Sequence, residues 1–278
     1  MACNIVYTMF KIWSVMKQET SFDFVALGRC KSIVQLADTA TTVLVISPHP
    51  DDDVIGMGGT MRMLAGDGTK VFTVYVCDGL SAAGTGKNTN SVRRSEALAA
   101  LKTVKASGAF FLSQATSGLA GKASAKVARQ LRKIIELLKP VEMYVPSPFE
   151  RHPTHRRVTR IALQALKNAN HAPCAWGYSV WGGVYGLPGT KVVDISQTVR
   201  AKKRAIRQHA SQTRIKPYDA GILGRNAYEG IFAETHAAHH MARAEAFIDM
   251  AFLQTWPGTK ILARAIASSS TELKCCRQ

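Results

Sequence analysis

Short unbroken apolar runs alternate along this chain with longer segments whose apolar residues recur every three or four positions. Residues 42–47 (TVLVIS) and 71–77 (VFTVYVC) are β-branched or aromatic almost throughout, which predicts strands buried on both faces. Residues 109–112, 141–146, 176–181 and 192–195 predict further strands. Helical spacing marks 54–65, 91–105 and 124–138, the first ending at Gly66-Asp67-Gly68 and the last before Pro140. Ser91 is placed to cap the second of these. A helix from ERHPTHRR to Lys167 and helices at 197–209 and 236–252 complete the set, with loops expected at 80–90 and 210–235. Residues 1–40 show no clear alternation and predict one or two helices.

Strand and helix alternate through the first 170 residues, and that order predicts a parallel sheet covered on both faces. The expected fold class is α/β, a single Rossmann-like three-layer domain at 41–255. A helical N-terminal extension at 1–40 precedes it, and a C-terminal tail at 256–278 follows. Such sheets bind ligands beyond the carboxyl ends of their strands, where strand order reverses. Two polar motifs, His49-Pro50-Asp51-Asp52-Asp53 and His152-Pro153-Thr154-His155, each follow a predicted strand. They therefore fall on the same edge of the sheet and form one candidate site.

Composition narrows the setting. A chain of 278 residues, 46% hydrophobic, is long enough for one large core, and no run reaches the roughly 18 apolar residues of a membrane span. The first residues lack a basic n-region and a small-residue cleavage site, so they read as an extension and not a signal peptide. Six scattered cysteines form no C-x-x-C pair, which fits reduced thiols in the cytoplasm. The formal net charge of +17, densest at 151–160 and 202–207, fits an anionic partner or a solvated basic surface.

Three adjacent aspartates repel one another unless a cation or a hydrogen-bond network offsets them. Imidazole and carboxylate are zinc donors, and catalytic zinc takes three protein ligands. His49 and Asp52 supply two; either histidine of the second motif can supply the third. Asp51, beside such a site, is placed to take a proton from water. Gly56, Gly58 and Gly59 lack phosphate-loop spacing and predict close helix–strand packing. Arg93 and Glu96 sit one helical turn apart, a spacing that a surface ion pair also satisfies. His236, His239 and His240 share a helix face and read as solvated or substrate-lining. Asp194 reads as a strand-end cap.

The stretch SPHPDDDVIGMGGTM resembles the signature of the PIG-L/LmbE-like zinc N-deacetylases, and His152-Pro-Thr-His155 resembles their second motif. Asp78-Gly79, Arg93-x-x-Glu96, Lys203, His209-x-Ser211-Gln212 and ARAEAF at 242–247 follow in the family's order, so the resemblance spans about 43–252. It implies a hydrolase that removes the N-acetyl group from an N-acetylglucosamine-type amino sugar or glycoconjugate. One Zn2+ per chain, or another divalent metal such as Fe2+, is implied on His49, Asp52 and His155. Zinc-bound water would be the nucleophile and Asp51 the general base. His152 would stabilise the oxyanion and assist the leaving amine, and Arg93 would contact substrate. Two positions depart from the pattern: Asp53 replaces the usual glutamate and Thr154 the usual aspartate.

Two other functions compete with this one. A basic protein binding nucleic acid or a membrane surface on the same fold would need aromatics interleaved with its charges. No such pattern is present, so nucleic acid is not expected. A zinc amidase for a non-sugar amide has the same motifs. The expected partner is an N-acetylated amino sugar, with an anionic group as one explanation for the positive charge.

Overall fold

The computed structural model describes residues 22–27, 41–79, 89–233 and 241–255. Strand β2 (Thr42–Ser47) is buried along its whole length. It lies between β3 (Lys70–Cys77) and β5 (Glu142–Pro146), parallel to both. Strand β4 (Gly108–Gln114) joins β3 in parallel, and β6 (Cys174–Tyr178) joins β5 in parallel. Antiparallel strands finish both edges. β1 (Asp23–Ala26) pairs with β4, and β8 (Ala244–Asp249) sits between β6 and β7 (Thr190–Asp194). The spatial order is β1-β4-β3-β2-β5-β6-β8-β7.

Alternation along the strands divides the core into two layers. Leu44, Ile46, Phe72 and Val74 point to one face. There they meet α3 (Gly121–Leu138) and α4 (Pro153–Lys167). Val43, Val45, Val71 and Tyr75 point to the other. There they meet α1 (Asp52–Gly66), α2 (Thr89–Val104) and α5 (Val199–Gln208). This is the three-layer, mostly parallel architecture the sequence predicts. Each fully buried aliphatic or aromatic side chain contributes about 1.5–3 kcal/mol, so these two layers supply most of the favourable free energy.

Local chemistry explains the helix limits. α3 buries Val127, Leu131, Ile134, Ile135 and Leu138 along one stripe. It ends where Lys139 turns left-handed, ahead of Pro140. α4 starts with Pro153 in its first turn, after the cap residue His152. α1 is interrupted at Met57, whose φ of −143° is not helical. Gly56 abuts the Tyr178 ring, and a Cβ on Gly59 would lie 2.7 Å from Ile195 Cβ, so the glycines do allow close packing. α2 begins two residues before Ser91, which lies inside its first turn.

Several expectations are corrected. Residues 23–26 fall in the segment expected to be helical, yet they form β1, whose Phe24 stacks against Phe110 at 4.7 Å. The other residues of 1–40, apart from Phe22 and Leu27, lie outside the described residues. The helix expected at 236–252 is strand β8 over residues 244–249, followed by the short α8 (Met250–Thr255). β8 turns Ala246 and Ile248 to one core and Phe247 to the other, and neighbours on both sides satisfy its backbone. The expected loop at 210–235 carries α6 (Ala210–Thr213) and α7 (Tyr218–Ile231). β6 stops at Tyr178 because the N–H groups of Val180, Trp181 and Gly182 turn to the Glu150 carboxylate. No helix among the described residues is long and apolar enough to cross a membrane.

Candidate active site

Strand order reverses between β2 and β5, and both motifs stand at the carboxyl ends of these strands. Ser47 braces the first turn: its Oγ donates to the His49 carbonyl at 2.7 Å and accepts from Asp53 N at 3.2 Å. Asp52 Oδ2 accepts from His49 N at 2.9 Å and lies 3.0 Å from His49 Nδ1. From the second motif, His155 Nε2 comes within 3.2 Å of the same oxygen. That nitrogen is buried and makes no hydrogen bond. Donor atoms of His49, Asp52 and His155 all lie within 4.8 Å of one another.

His155 is held from behind. Its Nδ1 is 3.0 Å from Glu150 Oε2, and Glu150 also accepts from the backbone N–H groups of Val180 at 2.7 Å, Trp181 at 3.0 Å and Gly182 at 3.2 Å. In the neutral ring, with its proton on Nδ1, the Nε2 lone pair points into the cluster, the form a metal ligand takes. This carboxylate–histidine arrangement orients a ligand for a metal. Burial opposes charge on Asp52 and His155, but attraction to their neighbours wins. Asp52 is held well below the usual carboxylate range by His155 and His49, and His155 is raised to about 10 by Asp52 and Glu150. Two imidazoles and a carboxylate so arranged fit a divalent metal with nitrogen and oxygen preference.

Asp51 stands beside this cluster and outside it. Its Oδ2 is 3.1 Å from Arg93 Nη2, and Arg93 Nη1 donates to the Gly79 carbonyl at 2.9 Å. Burial and the neighbouring Asp52 charge push the Asp51 carboxyl up to about 6, against the pull of Arg93. His152 Nδ1 accepts from Thr154 N at 3.3 Å, which leaves the ring proton on Nε2. Burial and the nearby His155 and His49 rings lower it to about 4, so it is neutral at pH 7. The Thr154 backbone thus orients His152 where a side-chain carboxylate was expected. Asp53 points away from the cluster and accepts from Tyr75 Oη at 2.7 Å.

The arrangement gathers all six candidate residues. His49, Asp51, Asp52, Arg93 and His152 line one open cavity, and His155 is fully buried. Arg93 and Glu96 do not pair with each other: Glu96 accepts from Ser211 N at 2.7 Å and Ser211 Oγ at 2.6 Å. Asp194 caps its strand end, accepting from Ser196 N at 2.8 Å. His236, His239 and His240 lie outside the described residues. Sequence reasoning missed Glu150, although it begins the quoted ERHPTH. It also missed Trp181 and Tyr218 on the cavity wall, which only tertiary contacts bring there. His209, though noted within its motif, is fully buried with neither ring nitrogen hydrogen-bonded.

A switch-point cluster with ligands for one metal and a spare carboxylate beside it fits the class of metal-dependent hydrolases. Comparison with known proteins makes this specific. The family model for PIG-L, the GlcNAc-PI de-N-acetylases, matches residues 44–166. Diacetylchitobiose deacetylase of Thermococcus kodakarensis is 31% identical over 189 residues, which cover 61% of this chain and 69% of that protein. The chain belongs to the PIG-L family. Solved structures that share its fold include two with different named activities. N,N'-diacetylchitobiose deacetylase from Pyrococcus horikoshii has a TM-score of 0.67 at 23% identity, covering 83% of this chain and 92% of that one. A 4-carboxy-2-hydroxymuconate hydratase from Pseudomonas putida has a TM-score of 0.63 at 19% identity, covering 76% and 96%. One fold therefore carries different named activities, and the site must decide the chemistry.

Proposed function

We propose that this chain is a zinc-dependent deacetylase that hydrolyses the N-acetyl group of an N-acetylglucosamine-type amino sugar or glycoconjugate. Family membership and the T. kodakarensis relative support the substrate class. The observation that carries the reaction is Asp51: a buried carboxylate, tied to Arg93, facing the cavity and poised near 6. His49, Asp52 and His155 would hold the metal. When bound there, zinc supplies Lewis-acid chemistry, acidifying water and polarising an amide carbonyl. Asp51 accepts the proton that water loses and passes it on towards the leaving amine. His152, neutral and with its proton on Nε2, donates a hydrogen bond to the oxyanion that develops on the acetyl carbonyl. Arg93 keeps Asp51 aimed and borders the substrate.

The donor set also suits Fe2+, so metal identity is part of the test. Residues 41–255 together with β1 make up the catalytic domain in this reading. The cytoplasm is its proposed setting, supported by the free thiols of Cys77 and Cys174. The test is metal content and acetate release, measured together on N-acetylglucosamine conjugates. About one zinc per chain with metal-dependent acetate release is expected. Asp51→Asn should retain the metal and lose roughly 10²- to 10⁴-fold in turnover. Metal without acetate from any sugar would refute the substrate class, and normal turnover by Asp51→Asn would refute the base.

A further inference from the structure

Part of the cavity wall is aromatic: Trp181 and Tyr218 line it together with the metal-site residues. Trp181 lines the cavity and is 43% exposed, so its ring is open to a ligand. Tyr218 stands beside it with ring planes at 87° and centroids 6.1 Å apart, so the two rings form a corner. Lys216 Nζ lies 4.7 Å from the indole centroid, within cation–π range.

This indole is exposed but its backbone is clamped. From one side Glu150 accepts the N–H groups of Val180, Trp181 and Gly182. From the other, Arg225 donates to the carbonyls of Ser179 at 2.8 Å and of Val180 and Gly182 at 3.2 Å. The same Glu150 carboxylate orients His155. The backbone that carries the indole is therefore fixed relative to the metal cluster, Tyr218 and Lys216 flank the ring, and a preorganised aromatic surface costs little entropy when something binds to it. An acetamide needs no such surface. A pyranose ring does: its C–H face is apolar and matches an indole, while its hydroxyls stay towards water.

We propose that Trp181 is the platform on which the substrate's sugar ring stacks, and that it makes the site select a cyclic sugar amide over a linear one. The proposal deepens the deacetylase reading and rests on it for the identity of the sugar. Tyr218 forms the second wall, and Lys216 steadies the indole.

The test compares N-acetylglucosamine with N-acetylethanolamine, a linear acetamide, as substrates of the zinc-loaded full chain. Trp181→Ala should lower the preference for the sugar about tenfold or more, chiefly through a higher KM for the sugar. Trp181→Phe, which keeps a ring, should recover most of it. A readout free of turnover uses zinc-loaded Asp51→Asn: adding N-acetylglucosamine should shift its tryptophan emission. That shift should vanish in the Asp51→Asn/Trp181→Phe double variant, while calorimetry still records binding. Unchanged sugar KM in a folded Trp181→Ala, or unmoved emission at saturating sugar, overturns the platform. The two readings fail separately. Acetate release with unaltered selectivity in Trp181→Ala sinks the platform alone. A sugar-dependent emission shift without acetate release by the unaltered chain sinks the deacetylase alone.

Discussion

Glu150 shows how much of the site depends on one residue that never faces the cavity. Its neutral isostere, Glu150→Gln, keeps the shape but loses the charge that fixes the proton on His155 Nδ1. Metal affinity should fall about 10- to 100-fold in a chelator competition, the usual cost of losing such a partner. His209 makes a different prediction. Burial, helped by the Arg93 charge, lowers its pKa from 6.5 to about 3. As pH falls, the unfolded chain therefore binds this proton before the folded one does. Its contribution is fully present above about 6.5 and declines by about 1.4 kcal/mol per pH unit below that, until about 3. Urea midpoints at pH 7 and pH 5 should differ less in His209→Gln than in the unaltered chain. At this scale, the metal-ligating motifs are legible because donor types cluster within five residues. Glu150 and Trp181 are not, because the amides that anchor Glu150 and the Tyr218 ring beside Trp181 lie far along the chain, and only the fold brings them together.

Among the elements, α1 carries Asp52 at its start, and its interruption at Met57 is met by a carboxylate from another part of the chain. Glu245 of β8 accepts from Gly59 N at 3.0 Å and Thr60 N at 2.8 Å, as a cap does at a helix start. It also accepts from Thr60 Oγ1 at 2.6 Å and from the buried Lys202 Nζ at 2.6 Å. Glu245→Gln should take from Lys202 its hydrogen-bonded counter-charge, leaving only Glu229 nearby, and cost about 3–5 kcal/mol in urea unfolding. Adding Lys202→Met should recover part of the loss; a double variant no more stable than the single one would remove the ion pair from the explanation. The same strand explains a misread element. ARAEAF is rich in helix formers, and its extended form is imposed by β6 and β7 on either side. α7 was hidden for the opposite reason: Gly221, Gly224 and Gly230 after Pro217 look like a loop. By contrast, β2 and β3 are unmistakable, since only a doubly covered strand tolerates such unbroken apolar runs.

Over the whole molecule, the chain carries a net charge of +17, while the cavity holds carboxylates of its own. On α5, Arg200, Lys203, Arg204 and Arg207 are exposed. If this field gathers an anionic glycoconjugate, raising ionic strength from about 0.01 to 0.15 M shortens its reach from about 30 to 8 Å. KM for an anionic substrate should then rise while that for a neutral sugar barely moves; equal effects would leave the charge without a role in capture. The sheet's outer edge has its own consequence. β1 is only four residues long, yet it covers the backbone of residues 108–111, including Phe110 and Phe111. A chain trimmed at residue 41 would keep every metal ligand and bare a row of unmatched amides flanked by phenylalanines. Such a ribbon recruits its own kind. Shortening the protein to its catalytic segment would thus trade a tidy fragment for a sticky one, and the strand that touches no substrate acts as the molecule's guard against self-association.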